Sequence, residues 1–329
     1  MYHRVSDVER DPWRLAVSPR HFAEHLEVLR TSYLLVNASE LGASMAAGTM
    51  RAGTVALTFD DGAVDNADVA APLLEQAGVP ATFFIPTGLL GSEREFWWDD
   101  LEHIILAPGE LPPVLRSSSL NTFWPVEPTR YDPSAAARDR TWRAETQGRT
   151  GRQRLYNEIW RALMALPHEK RAVALDELRA AAGADRPARA AHRPMDAMEL
   201  ASLAARAGLE VGSHAVTHTV LSSLPQEQQE WELRTSKARL EEILGRPVTS
   251  LSYPNGGHDA VTPSIARQAG YTVGFTASFG LVTRHTPVML IPRVIPPDVG
   301  GDRFARWLDG LVAPVSSSAR RTTLAAPAS

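Results

Sequence analysis

Short apolar runs alternate with amphipathic segments along most of the chain. The run 54–59 (TVALTF) is rich in β-branched residues and ends at the polar sequence DDG, which predicts a buried strand that opens onto a loop. A helix is predicted over 66–77, because Gly78 and Pro80 follow it, and the run 81–85 (ATFFI) predicts a second buried strand. Strand, helix and strand in this order predict a βαβ unit with parallel strands.

The same alternation returns in the last third of the chain. Near the N-terminus, Ser18 before Pro19 is the predicted N-cap of a helix that opens the segment 20–43. The later helices are predicted over 200–207, 224–244 and 264–269, and the later strands over 209–212, 248–253 and 271–276. These units predict an α/β fold whose parallel strands end at one common edge.

The middle of the chain has a different character. The segment 92–194 has a tryptophan-rich start, scattered prolines and helical stretches rich in arginine and alanine, which predicts a helical insertion. The segments 1–91 and 195–312 then form one domain around it. The tail 313–329 is small and polar, with alanine and proline, and is predicted to be disordered.

Composition excludes several classes of function. The formal net charge is -4 and no basic stretch stands out, which disfavours a nucleic-acid partner. Without cysteine there are no disulfides, thiolate metal sites or cysteine nucleophiles. No run of about 18 apolar residues predicts a membrane span, and the N-terminus has no signal-peptide pattern, so we expect a cytoplasmic protein. Met1-Tyr2-His3 resembles the end of a strand, which leaves open that the chain extends upstream.

Three polar motifs follow predicted strands. The DDG sequence at 60–62 alone favours a solvated turn. In SHAVTH, His214 and His218 have the i, i+4 spacing that brings two imidazoles to one face of a helical turn, which favours a metal site and a structural role about equally. The sequence SYPNG at 252–256 alone predicts an ordinary loop.

Together these motifs resemble the polysaccharide deacetylases, also called chitooligosaccharide deacetylase-like or carbohydrate esterase family four enzymes. The matching segments are TFDDG at 58–62, SHAVTH at 213–218 and SYPNG at 252–256, supported by PATFF at 80–84. The resemblance covers about 50–90 and 195–300. It implies an α/β fold of the deformed (β/α) barrel type, with the helical insertion at 92–194.

The resemblance also implies a role for each motif residue. Asp61, His214 and His218 match three ligands of one divalent metal ion, and Asp60 matches a general base that takes a proton from water. The backbone N–H of Tyr253 matches a donor to the oxyanion. Zinc is the expected ion, and cobalt, nickel and iron remain alternatives for two nitrogens and one oxygen.

The third motif departs from the family pattern. The family often has an arginine there that pairs with the base, whereas this chain has Ser252. Arg293 is the candidate substitute, weighed equally with a surface arginine that has no such role.

The general acid also lacks a direct counterpart, because the family's late histidine is absent from 287–300. Members that act on β-1,6-linked N-acetylglucosamine polymers often carry an N-terminal Tyr-His instead, which Tyr2-His3 resembles. His3 is therefore the candidate general acid, and His258 is the second candidate.

The expected function is a metal-dependent hydrolase that removes N-acetyl groups from an N-acetylated sugar, glycan or glycoconjugate. A hydrolase of non-sugar amides or ureides and a catalytically silent carbohydrate-binding protein are the alternatives, and the oligomeric state stays open. Trp97 and Trp98 could stack on sugar rings, but anchoring of the insertion is the commoner role. Asp65 is expected to support the DDG loop.

Overall fold

The computed structural model describes residues 1–183 and 188–312. The elements before the insertion are β1 (Arg4–Val5), β2 (Ala16–Val17), α1 (Pro19–Ser32), β3 (Leu34–Val36), α2 (Ala38–Ala46), β4 (Thr54–Phe59), α3 (Ala71–Ala77) and β5 (Ala81–Ile85). The elements of the insertion are α4 (Trp97–Leu106), β6 (Gly109–Glu110), β7 (Val114–Ser117), β8 (Thr122–Pro125), β9 (Arg130–Tyr131), α5 (Pro133–Asp139), α6 (Gly151–Met164) and α7 (His168–Ala181). The elements after it are α8 (Ala197–Ala204), β10 (Leu209–Ser213), α9 (Gln226–Leu244), β11 (Ser250–Ser252), α10 (Thr262–Gln268), β12 (Val273–Phe279), β13 (Ile291–Arg293) and α11 (Gly301–Val312).

Seven strands of the described residues form one curled parallel sheet. Their order is β13-β12-β11-β10-β5-β4-β3, and every neighbouring pair is parallel. The carboxyl ends of these strands therefore meet at one edge, where the motifs after β4, β10 and β11 come together. The predicted α/β fold of the barrel type is confirmed.

The first two residues cover the open side of this half-barrel near that edge. The Tyr2 N–H donates to the Thr58 carbonyl at 2.7 Å, and the Asp60 N–H donates to the Tyr2 carbonyl at 3.1 Å. The nitrogen of Met1 donates to the carbonyl of Val294 at 2.8 Å, just beyond β13. This arrangement brings the N-terminal segment beside the end of β4.

The insertion has a hydrophobic cluster of its own. Its buried members lie between Leu101 and Ala182, whereas a separate cluster joins the barrel strands to their helices. Alongside its helices the insertion contains two two-stranded antiparallel sheets, β6 with β9 and β7 with β8. These strands are two to four residues long, too short to give a clear alternation in the sequence.

Most predicted barrel elements occur within a few residues of their expected bounds. Ser18 caps α1 by accepting from the His21 N–H, and Gly78 ends α3 in the left-handed conformation, with φ 65°. The segment 20–43 holds a strand, β3, between two helices, which its helical spacing did not predict. The predicted disorder of 313–329 lies outside the described residues. Among the helices that are described, none is both long and apolar enough to cross a membrane.

Candidate metal centre

The loop after β4 begins the site. Asp61 and Gly62 both have left-handed backbone conformations, with φ 74° and 68°. Glycine at position 62 also relieves crowding, because a Cβ there would lie 2.9 Å from the Ile85 Cδ1. The loop therefore turns sharply at the end of the strand, and the carboxylates of Asp60 and Asp61 are both buried there.

Asp61, His214 and His218 converge, as the motif resemblance implies. The Nε2 of His218 lies 3.1 Å from the Asp61 Oδ1, and the Nε2 of His214 lies 3.5 Å from the same oxygen. Metal–ligand bonds of about 2.0–2.2 Å at tetrahedral angles separate donor atoms by roughly 3.3–3.6 Å. All three residues are buried, and their donor atoms lie within 4.8 Å of one another. The spacing and chemistry of these donors fit one divalent ion.

The backbone of the histidine loop differs from the prediction. The i, i+4 spacing suggested a helical turn, but residues 214–218 form an irregular loop after β10. Ala215 and His218 are left-handed, with φ 61° and 56°, and the two imidazole rings lie 5.0 Å apart, centroid to centroid. The helical argument was therefore wrong, and the pairing depends on a loop conformation that non-glycine residues seldom adopt.

A neighbouring strand orients one of the two ligands. The Nδ1 of His214 donates to the Ser252 carbonyl at 2.7 Å, which leaves Nε2 free to face the cluster. The Nδ1 of His218 is buried and has no hydrogen-bond partner among the described residues. The ring of Trp98, from the insertion, lies 5.1 Å from the His218 ring.

The charges of the cluster reinforce one another. Burial opposes ionisation of Asp61, but His218 and the hydrogen bonds from both histidines hold its pKa well below the usual range. Burial likewise lowers the pKa of His214, whereas Asp60 and Asp61 together raise it above the usual value. A divalent ion held by these residues would take the place of these protons, so its binding would strengthen as the pH rises.

Asp60 lies beside this cluster in a buried ion pair. Arg293 donates to both Asp60 oxygens, from Nη1 to Oδ1 at 2.8 Å and from Nη2 to Oδ2 at 2.7 Å. Ser252 links the pair, because its hydroxyl donates to the Asp60 Oδ2 at 3.1 Å and accepts from the Arg293 Nη2 at 2.8 Å. Burial alone would raise the pKa of Asp60, but Arg293 and then His214 hold it well below the usual range. The candidate pairing of Arg293 with Asp60 is present, and Ser252 bridges it.

The backbone N–H of Tyr253, the predicted oxyanion donor, is paired in this structure. Its backbone N–H donates to the Phe275 carbonyl at 3.0 Å, in the ladder between β11 and β12. A sheet hydrogen bond thus uses the donor that the role requires. The side chain is fully buried, and its hydroxyl has no partner in the described parts of the chain.

The two candidate general acids have different surroundings. His3 lies next to the Tyr2 residue that pairs with β4, and its carbonyl accepts from the Asn66 side chain at 2.8 Å. Burial lowers the pKa of His3, while the negative charges of Asp61 and Asp60 oppose that shift. His258 instead uses Nδ1 to donate to the Gly256 carbonyl at 2.9 Å. The negative charges of both aspartates therefore act on His3, which supports His3 as the candidate acid.

The segments of the chain that carry the three candidate ligands match a known protein family. A family model described as polysaccharide deacetylase matches residues 47–111 and 186–274. The chain carries a polysaccharide deacetylase domain.

A curated relative matches part of this chain. YxkH of Bacillus subtilis (strain 168), whose name places it among the polysaccharide deacetylases, is 28% identical over 108 residues, or 32% of this chain. That match spans 39% of YxkH, about two fifths of its length.

Two of the similar solved structures match more than nine-tenths of the chain. The deacetylase PplD of Streptococcus pyogenes, in complex with acetate, is 16% identical with a TM-score of 0.58, over 95% of this chain and 96% of its own. IcaB from Ammonifex degensii is 19% identical with a TM-score of 0.54, over 93% and 94%. At these identities the likeness is one of fold.

The deacetylase domain also has contacts that the motifs did not predict. Asp65, expected to support the DDG loop, accepts from the Arg4 Nε at 2.8 Å and from the Val5 N–H at 3.0 Å. Arg4 also contacts Asp99 and His192 of the insertion, at 3.4 and 2.9 Å. This buried network joins the segment after His3, the DDG loop and the insertion.

The paired tryptophans pack against other side chains, with Trp98 buried and Trp97 partly buried. The Trp98 ring stacks on Phe96 at 4.9 Å as well as contacting His218, and it is almost fully buried. Trp97 contacts Trp160 at 5.9 Å and lies under the guanidinium of Arg171 at 4.9 Å. These contacts support the interpretation that the tryptophans anchor the insertion. Trp98 also packs directly against His218, a candidate metal ligand.

Proposed function

We propose that this chain is a metal-dependent hydrolase that removes N-acetyl groups from an N-acetylated sugar, glycan or glycoconjugate. The observation that supports this most strongly is the convergence of Asp61, His214 and His218 beside the ion pair of Asp60 and Arg293. A divalent ion held by those three ligands would polarise the acetyl carbonyl and lower the pKa of water. We propose zinc as the ion to test first, with cobalt, nickel and iron next.

Asp60 is the proposed general base. Arg293 keeps its carboxylate ionised at neutral pH, so the carboxylate can accept the proton of a water molecule that attacks the acetyl carbonyl. His3 is the proposed general acid, which gives a proton to the leaving amine. Because burial lowers the pKa of His3, its imidazole would have to receive the proton that Asp60 takes from water before it passes a proton to the amine.

The test of this function is acetate release from N-acetylglucosamine oligomers, measured with the metal content of the same preparation. We expect one zinc ion per chain and acetate release that a chelator abolishes and added zinc restores. Bound zinc without acetate release from these oligomers, and without hydrolysis of simple amides or ureides, would favour a carbohydrate-binding role. Absence of bound metal after incubation with zinc would contradict the proposal.

Substitution of His3 tests the proposed acid. We expect His3→Gln to lower turnover by about 10²–10⁴-fold, because the leaving amine then lacks a proton donor, and to keep zinc, because His3 is outside the ligand set. Steady-state rates of acetate release and zinc content measure the two effects.

The matched control is His258→Gln, at the histidine that binds the Gly256 carbonyl. It should leave turnover close to wild type. Equal activity of the His3 variant and wild type would exclude His3 as the acid, and a large loss in the His258 variant would transfer the role to it.

A further inference from the structure

The loop that carries the two candidate histidine ligands is held from one side by residues after β5. The N–H groups of Thr87 and Gly88 donate to the carbonyls of Ala215 and Val216, at 3.1 and 2.9 Å. The approach is close, because a Cβ at Gly88 would lie 2.8 Å from the Val216 oxygen. The carbonyl groups of Ala215 and Val216 are thus paired with backbone.

Three donors of the same loop are paired with one side chain, that of Glu232. Its Oε2 accepts from the Val216 N–H at 2.7 Å and from the Thr217 N–H at 3.0 Å, and its Oε1 accepts from the Thr217 hydroxyl at 2.5 Å. Glu232 lies on α9 and is only 3% exposed. A single buried carboxylate therefore receives three donors from Val216 and Thr217, two of the three residues that separate His214 from His218.

These hydrogen bonds matter because the loop is conformationally unfavourable. Ala215 and His218 have positive φ, which costs a non-glycine residue free energy unless its surroundings impose it. Glu232 can thus hold Val216 and Thr217 in place while Ala215 and His218, on either side of them, take the left-handed conformation.

We propose that Glu232 is a positioning residue that sets the separation of His214 and His218 and so the metal affinity of the site. This proposal rests on the proposed function, since it concerns the same metal site. Glu232 acts through the loop and does not itself belong to the group of ligand candidates. Partners that orient metal ligands typically contribute 10–100-fold to metal affinity.

Two substitutions separate the hydrogen bonds from the charge. Glu232→Gln loses the charge but keeps an oxygen that can accept from both N–H groups, while its amide can donate to the Thr217 hydroxyl. Glu232→Asp keeps the charge, but a side chain shorter by one methylene cannot reach all three donors. We expect zinc affinity, measured by competition with a chromophoric chelator, to stay near wild type for Gln and to fall about 10–100-fold for Asp.

The controls are the same substitutions at Glu230, a residue of α9 whose side chain is 45% exposed and pairs with Arg234. Both should bind zinc like wild type. If Glu232→Asp binds zinc as tightly as wild type, or if Glu232→Gln loses as much affinity as Glu232→Asp, the proposal is overturned.

A second measurement on the metal-free protein separates this proposal from the proposed function. Hydrogen exchange of the amides in 214–218 should be faster in Glu232→Asp than in wild type and little changed in Glu232→Gln. If wild type binds no zinc, the proposed function fails, and the exchange rates still decide the role of Glu232. Unchanged exchange in Glu232→Asp would show that Glu232 does not hold the loop.

Discussion

Asp60→Asn is expected to lower acetate release by about 10²–10⁴-fold while zinc stays bound. An amide cannot accept the proton of the attacking water, and loss of a general base typically costs a factor of this size. Zinc binding should survive, because Asp61 and the two histidines form the ligand set and Asp60 lies outside it. Turnover at saturating oligomer and zinc content per chain measure the two properties.

Asp61→Asn is the matched control, since it makes the same chemical change at the adjacent residue. It should lose zinc as well as activity, because the Asp61 Oδ1 is the oxygen that both histidine nitrogens approach. Residual activity of Asp60→Asn near the wild-type level would contradict the base assignment. Loss of zinc in Asp60→Asn would instead indicate that Asp60 helps to bind the ion.

The central strands could be predicted because their sequences carry a strong local signal. The runs at β4 and β5 are continuous, apolar and β-branched or aromatic, and each ends at polar or proline residues. The strands β3 and β13 have three residues each, so neither alternation nor a long apolar run marks them. They are strands because their neighbours in the sheet pair with them, which is a tertiary effect.

The site divides in a similar way between local and distant information. The ligands Asp61, His214 and His218 lie in short motifs, so their identity could be inferred from the sequence. The left-handed loop that joins the histidines could not, because its conformation depends on Glu232, which is 14 residues beyond His218 along the chain and on another element.

Two further cases show the limit of motif matching. The motif resemblance assigned an oxyanion role to the Tyr253 N–H, yet sheet register commits that donor to Phe275. Arg293 is 233 positions from Asp60 and no motif connects them, so the sequence left its role undecided. The curl of the sheet brings the end of β13 opposite the end of β4, and this geometry places the guanidinium on the carboxylate.

Arg293→Met is expected to destabilise the fold by about 3–5 kcal/mol, because it removes one partner of a buried ion pair and leaves the other charge uncompensated. Both Asp60 and Arg293 are at least nine-tenths buried, so solvent screens the pair little. Chemical denaturation of the metal-free protein at pH 7 measures the loss. Adding Asp60→Asn to Arg293→Met should recover much of it, because the buried negative charge is then gone.

Arg293→Lys is the matched control. A lysine keeps the positive charge but cannot donate to both oxygens of Asp60 in the parallel geometry that the guanidinium has. We expect it to retain more stability than Arg293→Met but to lose activity, since the carboxylate is no longer held in one orientation. Wild-type turnover in Arg293→Lys would show that charge alone is sufficient.

The pH dependence of stability tests whether Arg293 acts through the ionisation of Asp60. In wild type the folded-state pKa of Asp60 lies below the unfolded value of about 3.9, so its contribution to stability is present above that pH and is lost as the pH falls through the folded-state pKa. In Arg293→Met the positive charge that lowers the pKa of Asp60 is gone, so burial raises that pKa. Protonation then relieves the buried charge, so the difference in the free energy of unfolding between variant and wild type should narrow as the pH falls from 7 to about 4.

The acidic limb of kcat/KM should move to higher pH for the same reason. A stability difference between Arg293→Met and wild type that stays constant between pH 7 and about 4 would mean that Arg293 acts independently of the ionisation of Asp60. It would then stabilise the protein through packing or through its hydrogen bonds to Thr58 and Thr276.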